Sequence, residues 1–289
     1  MDKSILTTGF NGMVGSRFLE LFPDYTVLNL GKSDGVDITD YEKIINYFEE
    51  SKAPTVVHMA GKTDVDSCED DKLFGEGGEA WRVNVEGTRN IVKASQKTGK
   101  RLIYISTDFV FNGTKDFYTE EDVPDPVNWY GYTKYEGELS VASSGIGYSI
   151  LRISYPYRAY YPKKKDFVRR ILEKMTNKEK IYALSDHIYT PTFIDDIAQG
   201  INLFLEKNIE GTYHLVGRES LSVIEGITTI GGVFGLNPQL VPITREQYFK
   251  DRAYRPFKLG LKSDKIRNLD LKMNSFSEGL EKVKKQLSI

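Results

Sequence analysis

A tyrosine and a lysine stand four residues apart in the segment YGYTKYEGE, as Tyr130 and Lys134. Residues with this spacing lie on one face of a helix. A phenol can protonate a developing alkoxide only if its pKa falls from about 10 toward neutrality. A nearby lysine ammonium favours the phenolate and lowers that pKa. The pair therefore predicts acid–base chemistry at a carbonyl or alcohol.

The same spacing occurs three more times in the chain, and in each case a proline lies between the two residues. Proline disfavours a shared helical face, so these pairs are not predicted to act together. They are Tyr160/Lys164, Tyr161/Lys165 and Tyr254/Lys258.

Two hydroxyl side chains, Ser106 and Thr107, end a predicted strand in the segment RLIYISTDFVFNG. Open α/β sheets bind their ligands at the carboxyl ends of their strands. A hydroxyl there could hydrogen-bond a carbonyl oxygen of a substrate and hold it for attack. The alternative is a serine and a threonine that only stabilise a turn.

Three glycines, Gly9, Gly12 and Gly15, stand where the first predicted strand becomes a helix, in TTGFNGMVGSRF. A Cβ at these positions would keep a pyrophosphate from the backbone N–H groups and the positive helix end. The spacing is GxxGxxG, and its place between a strand and a helix favours a dinucleotide site over a structural turn. The loop residues predicted to bind the cofactor with the glycines are Phe10, Asn11, Met13 and Val14.

The residues after the second predicted strand bear on cofactor choice. NAD enzymes usually place an acidic residue there for the ribose hydroxyls. Here the segment is NLGKSDG, in which Lys32 and Ser33 could receive a 2′-phosphate while Asp34 keeps NAD open. We predict NADP in preference to NAD. The positive nicotinamide of the oxidised cofactor would favour the Tyr130 phenolate, as the lysine does.

Strand and helix patterns alternate through the first half of the chain and predict an α/β, Rossmann-like, doubly wound parallel sheet. We expect an NAD(P)-binding domain over residues 1–154. Residues 155–289 are expected to form mainly a smaller, discontinuous substrate lobe, with some segments returning to the first domain. The acidic stretch CEDDKLFGEGGE is predicted to be a solvated loop. The predicted strands are SILTTG, TVLNL, TVVHMA, RLIYIS, YSILRIS and GTYHLV, and a long helix is predicted from about Trp81 to Thr98.

The composition of the chain argues against several classes of function. The 289 residues carry a formal net charge of −2, which gives no electrostatic basis for binding nucleic acid or an anionic membrane. One cysteine, Cys68, excludes an internal disulfide and suits a reducing compartment. No apolar run or leader predicts a membrane span or export, so we expect a cytoplasmic protein. The three histidines form no metal motif, and no metal is predicted.

Taken together, TGxxGxxG, STDFVF and YxxxK resemble the extended short-chain dehydrogenase/reductase superfamily. Further segments are similar to its dTDP-4-dehydrorhamnose reductase-like branch, over nearly the whole chain. They include VDITD, VVHMAGKTDVDSCE, NVEGT, LRISYPY, GTYHLV and RPFKLGLKSDKI. The resemblance implies an NAD(P)H-dependent reductase that acts on a keto group of a nucleotide-linked sugar. A homodimer is also expected from the family.

The resemblance also implies roles for individual residues. Thr107 would orient the keto oxygen, Tyr130 would give the proton, and Lys134 would hold the nicotinamide ribose and acidify the tyrosine. Further cofactor contacts would come from Asp37, Ile38, Met59, Ala60, Gly61, Asn84 and Ser106. Substrate contacts would come from Val65, Asp66, Thr107, Tyr155 and Arg255. His187, which departs from the family pattern, could contact substrate or be a loop histidine with ordinary packing.

Two segments depart from the branch and leave the sugar open: SDHIYTPT, which carries His187 and Tyr189, and RPFKL. Two alternatives to the reductase follow from the same resemblance. One is an epimerase or dehydratase of sugar nucleotides that retains NAD. The other is a non-catalytic regulatory subunit similar to the β subunit of methionine adenosyltransferase.

Overall fold

The computed structural model describes residues 3–288, in which strands and helices alternate from the first strand onward. The strands are β1 (Ser4–Thr8), β2 (Thr26–Leu30), β3 (Thr55–His58), β4 (Arg101–Thr107), β5 (Tyr148–Ile153), β6 (Pro156–Tyr157), β7 (Lys180–Leu184), β8 (Ile188–Tyr189), β9 (Thr192–Phe193), β10 (Gly211–His214), β11 (Leu221–Ser222) and β12 (Gln239–Ile243). The helices are α1 (Met13–Leu21), α2 (Tyr41–Glu50), α3 (Val65–Asp71), α4 (Glu79–Trp81), α5 (Gly87–Thr98), α6 (Trp129–Ala142), α7 (Phe167–Thr176), α8 (Ile194–Lys207), α9 (Val223–Phe234), α10 (Arg245–Tyr248), α11 (Asp264–Arg267) and α12 (Phe276–Gln286).

Six strands form one parallel sheet in the order β2-β1-β3-β4-β5-β10. From β1 the chain first adds β2 on one side and then returns to add β3 on the other. A crevice opens at the carboxyl ends of strands where the direction of winding reverses. The glycine loop follows β1 at this point, next to the end of β3. The predicted Rossmann-like α/β fold is confirmed.

Both faces of this sheet are covered, because successive residues of its strands are buried in different clusters. Leu6, Val56 and Leu102 belong to a core that also contains side chains of α2 and α5. Ile5 and Val57 belong to a second core that contains side chains of α1 and α8. Side chains alternate between the faces of a strand, so strands apolar at every position need helices on both sides.

The C-terminal half of the chain contributes to two cores. Residues of α8 and β10 pack in the second sheet core, with Ile201 and Phe204 fully buried there. A separate core joins α7, α9 and α12 around Tyr157, Val168 and Phe276. Short two-stranded sheets accompany that core: β7 with β12, β6 with β9, and β8 with β11.

Two local predictions are modified by the structure. The acidic stretch was predicted to be a solvated loop, and this is wrong for its first part, which lies in α3. The Asp64 carboxylate caps that helix by accepting a hydrogen bond from the Ser67 N–H, and buried Cys68 anchors it. The helix predicted from Trp81 to Thr98 contains a π-helical turn over Arg82–Glu86. Over residues 3–288, no helix has the length and apolarity that crossing a bilayer requires.

Candidate functional site

A cavity of about 1110 Å³ lies at the carboxyl ends of β1, β3 and β4. Its wall comes from the glycine loop, the residues after β2 and β3, the start of α6, and a segment of the C-terminal half, residues 161–170. Pockets for a single small ligand usually measure about 300 to 1,000 Å³. The volume therefore suits a dinucleotide together with a second ligand.

The glycine loop is shaped by close backbone approaches. Gly9 has a φ of +73°, and a Cβ there would stand 2.6 Å from the Ala60 nitrogen. A Cβ on Gly15 would stand 2.4 Å from the Phe10 Cα. Within the described residues, no side chain caps the N-terminus of α1, where Gly12 is the cap residue. The first N–H groups of that helix are thus free to bind phosphate, so the loop fits a dinucleotide.

The predicted cofactor residues line the cavity except for two. The Phe10 side chain is buried in the core beside Phe18, and only its backbone belongs to the loop. Asn84 is buried in the π-helical turn, where its amide accepts from the Lys62 N–H at 2.8 Å and donates to the Thr133 hydroxyl at 2.9 Å. It holds the chain after β3 against α6 without lining the cavity.

The corner after β2 contains Lys32 and Asp34, the two charged residues on which the prediction of cofactor choice depended. Lys32 and Ser33 line the cavity, and the Asn11 amide donates to the Ser33 hydroxyl at 2.7 Å. The Asp34 carboxylate does not line the cavity, and it accepts a hydrogen bond of 2.7 Å from the Asn29 amide. The corner therefore presents to a ligand the Ser33 hydroxyl and the Lys32 ammonium, which lies 3.7 Å from the Asp37 carboxylate and 3.8 Å from the Glu79 carboxylate.

Thr107, Tyr130 and Lys134 line the same cavity as the glycine loop. The Lys134 ammonium donates to the Ile105 carbonyl at 2.9 Å, which fixes it beneath the end of β4. A Cβ on Gly131 would stand 2.1 Å from the Phe109 carbonyl oxygen, so only glycine lets α6 begin this close to β4. That contact brings the tyrosine and the lysine to the strand end.

Burial dominates the protonation of both groups. It raises the pKa of Tyr130 well above its ordinary value, although the Thr107 hydroxyl beside it acts in the opposite direction. Burial also lowers the pKa of Lys134 to about 7. The fall in pKa that the sequence predicted for Tyr130 is therefore not found: the phenol is protonated at neutral pH, and Lys134 is not among the groups that shift its pKa. The ammonium of Lys134 loses its proton close to neutral pH.

The Ser106 hydroxyl indicates whether the cavity suits a polar ligand. Its side chain is 2% exposed and lines the cavity, and its hydroxyl oxygen has no hydrogen-bond partner among the described residues. A buried hydroxyl without a partner costs free energy. A polar ligand group in the cavity would satisfy it, as the cofactor prediction for Ser106 requires.

Among the predicted substrate residues, Val65, Thr107 and Tyr155 line the cavity. His187 lies behind Tyr155. Its Nδ1 is 3.0 Å from the Pro256 carbonyl, which can only accept, so Nδ1 carries the proton and Nε2 accepts from the Tyr155 hydroxyl at 3.0 Å. Burial lowers the pKa of His187 to about 4 and keeps the ring neutral. His187 thus orients Tyr155 and does not itself line the cavity.

Asp66 and Arg255 pair with each other outside the cavity wall. An Arg255 guanidinium nitrogen donates to the Asp66 carboxylate at 2.5 Å, and the Ala253 N–H donates to the same oxygen at 3.1 Å. This pair ties α3 to the segment before α11. The two residues were predicted to contact substrate, and neither of them lines the cavity in the structure.

Residues 3–289 match the model of the family described as RmlD substrate binding domain. The chain belongs to this family. The structure of dTDP-4-dehydrorhamnose reductase from Bacillus anthracis in complex with NADP is similar, with a TM-score of 0.89 and 30% identity over 99% of this chain and 100% of that chain. The resemblance drawn from the motifs is confirmed.

Two curated relatives of this RmlD-family chain carry different names. The dTDP-4-dehydrorhamnose reductase of Aggregatibacter actinomycetemcomitans is 30% identical over 228 residues, 75% of this chain and 74% of its own. Methionine adenosyltransferase 2 subunit beta of Mus musculus is 29% identical over 286 residues, 93% of this chain and 83% of its own. The chain is thus similar both to a named reductase and to a named subunit of a methionine adenosyltransferase.

Several cavity residues of this RmlD-family chain were missed by sequence reasoning. Asp108 and Phe167 line the wall near Tyr155, and Lys163, Lys164, Lys165 and Arg170 add positive charge from the C-terminal half. The run PKKKDF gave a signal, because three consecutive lysines precede a helix, but no periodicity shows which loop faces the cavity. Over the described chain, no group of His, Cys, Asp and Glu side chains could hold a metal ion.

Proposed function

We propose that this chain is an NAD(P)H-dependent reductase of a keto group on a nucleotide-linked sugar, with NADP(H) preferred. The observation that carries the proposal is that Thr107, Tyr130 and Lys134 share one cavity with an uncapped helix N-terminus. The Ser106 hydroxyl, which lacks a partner in the described structure, supports a polar ligand at the same place. The similar reductases named above agree with this reading.

NADPH held at the glycine loop and the start of α1 would supply hydride for reduction of the keto group. In the structure Thr107 donates its hydroxyl proton to the Asp108 carboxylate. To orient the keto oxygen, Thr107 turns that proton toward it, and Tyr130 gives the oxygen its proton. The Lys134 ammonium, held by the Ile105 carbonyl, stabilises the phenolate left on Tyr130. The Tyr130 side chain is 9% exposed, so water has little access to the transfer.

The test measures the absorbance of the reduced cofactor, which falls as the cofactor is oxidised, in the presence of purified protein and dTDP-4-dehydrorhamnose. Other 4-keto sugar nucleotides are tested in the same way. We expect turnover, and we expect Tyr130→Phe to lose at least about a hundred-fold in kcat, the usual size of a general acid contribution. Turnover of Tyr130→Phe at the wild-type rate would reject the mechanism. Turnover with no keto sugar would reject the function.

The similarity to methionine adenosyltransferase 2 subunit beta favours a second candidate, a binding subunit with a dinucleotide fold. A binding subunit without catalytic activity would not need the proton donor and the lysine that line the dinucleotide cavity. Co-purification with a stable partner and absence of turnover would support it. The cytoplasmic location, the homodimer and a domain boundary near residue 154 stay predictions.

A further inference from the structure

A segment of the C-terminal half reaches across to the glycine loop. The Asn11 carbonyl oxygen accepts hydrogen bonds from the Tyr161 hydroxyl at 3.0 Å and from the Lys163 ammonium at 3.1 Å. Arg158 donates to the Met13 carbonyl and to the Ser16 hydroxyl, each at 3.0 Å. The start of α1 is thus fixed by residues more than a hundred positions further along the chain.

Asn11 connects this segment to the corner after β2. Its carbonyl receives Lys163, while its side-chain amide donates to the Ser33 hydroxyl at 2.7 Å. Asn11 thus links Lys163 directly to the corner that carries Lys32 and Ser33. Lys163, Lys32 and Ser33 all line the cavity. Lys164 also lines it, whereas the Lys165 ammonium is paired with Glu173 at 2.7 Å.

We propose that residues 161–164 form a clamp for the cofactor, in which Tyr161 fixes the glycine loop and Lys163, with Lys164, binds cofactor phosphate. The inference rests on the proposed function for its cofactor. NADP(H) carries a 2′-phosphate that NAD(H) lacks, so cations added opposite Lys32 and Ser33 favour NADP(H). The preference for NADP(H) over NAD(H) thus depends on residues from both halves of the chain.

The test is equilibrium binding of NADPH and NADH, followed by calorimetry and by cofactor fluorescence, to wild type and single variants. Lys163→Ala should weaken NADPH binding about ten-fold more than NADH binding, the usual size of one charge-assisted hydrogen bond, because both cofactors lose its bond to Asn11 but only NADPH loses a contact with the 2′-phosphate. Lys163→Arg should restore most of the NADPH affinity. Added salt should weaken NADPH binding more in wild type than in Lys163→Ala.

Two further variants separate charge from loop positioning. Tyr161→Phe removes a neutral hydrogen bond to Asn11, so it should weaken both cofactors by the same few-fold factor. Lys285→Ala removes one exposed lysine of α12, outside the cavity wall, and should change neither affinity.

Equal losses for NADPH and NADH in Lys163→Ala, or no loss for either, would overturn the clamp while leaving the proposed function intact. A loss of affinity for a dTDP-sugar with NADPH binding unchanged would also overturn it, because the lysines would then serve the substrate. If the wild type bound neither cofactor, the proposed function would fail and the clamp with it.

Discussion

The Thr107 hydroxyl lies 3.0 Å from an Asp108 carboxylate oxygen, and the other oxygen of that carboxylate accepts from the Ser154 hydroxyl at 2.7 Å. Asp108 is 2% exposed, and burial raises its pKa to about 6 although both hydroxyls act to lower it. The Phe109 N–H donates to the Thr107 oxygen at 3.3 Å. These contacts hold the Thr107 oxygen in place, while its proton has to turn from Asp108 to the keto oxygen when substrate binds.

Changing Asp108 should therefore affect turnover more than cofactor binding. Asp108→Asn keeps the shape but presents an NH₂ group to one of the two hydroxyls. We expect kcat for keto reduction to fall about ten-fold or more, as for a misdirected catalytic hydrogen bond, with cofactor affinity within about two-fold. Steady-state kinetics check this. Ser154→Ala is the control and should give a smaller loss of the same kind; an unchanged kcat in Asp108→Asn would contradict the assignment.

The reduction rate should depend on pH through Lys134. Its pKa is lowered to about 7 by burial, so the ammonium is present below that pH and is lost above it. Because the ammonium stabilises the Tyr130 phenolate, kcat should be highest on the acid side and should fall as pH rises through about 7. Profiles between about pH 5 and about pH 9 check this. Lys134→Arg keeps its charge throughout, and a similar decline in that variant would show that another group titrates.

Glycine positions differ sharply in what a methyl group would meet. In Gly15→Ala, the new Cβ would clash with the Phe10 backbone at 2.4 Å, so we expect loss of NADPH binding by at least about a hundred-fold and a lower free energy of unfolding. Gly232 in α9 has nothing within 4 Å of an added Cβ. Gly232→Ala should raise the free energy of unfolding by about 0.5 to 1 kcal/mol with NADPH binding unchanged. Denaturant unfolding and cofactor titration measure both, and equal behaviour of the two variants would refute the close approach.

A buried ion pair joins α6 to β5. Two Arg152 nitrogens donate to the two Glu138 oxygens at 2.9 and 2.7 Å, and both side chains are about 5% exposed or less. Removal of one partner leaves a buried charge, so Glu138→Ala should cost about 3 to 5 kcal/mol of unfolding free energy. The exposed pair of Lys97 and Glu49 is the control, and Lys97→Ala should cost less than about 1 kcal/mol. A small effect of Glu138→Ala in denaturant unfolding would argue against the pair.

Hydrophobic periodicity was sufficient to predict the six strands of the main sheet. Every position of β3 is buried, which is what a strand covered on both faces requires. The helix capped by Asp40 was also predictable, because an aspartate before an apolar period is a common N-cap. The strands β6, β8, β9 and β11 were missed, since strands of two residues leave no periodic pattern.

The part of the candidate site that could be predicted lies in motifs whose residue types and spacing indicate a chemical function. The glycine loop and the Tyr130–Lys134 spacing belong to this kind, and their residues line one cavity. The roles of Asp66 and His187 could not be read in the same way, because their partners Arg255 and Tyr155 are distant in sequence. The run of lysines after Pro162 is evident in the sequence, but its place beside Asn11 could not be predicted, because that contact depends on tertiary packing.

The most direct test of the account is the fate of a deuterium placed on the reactive carbon of NADPH. Wild-type protein incubated with this cofactor and dTDP-4-dehydrorhamnose should yield reduced sugar nucleotide that contains the deuterium, detected by mass spectrometry, with one cofactor oxidised for each product formed. Product without the label, or unchanged cofactor beside an isomerised sugar, would contradict keto reduction at the Tyr130 site.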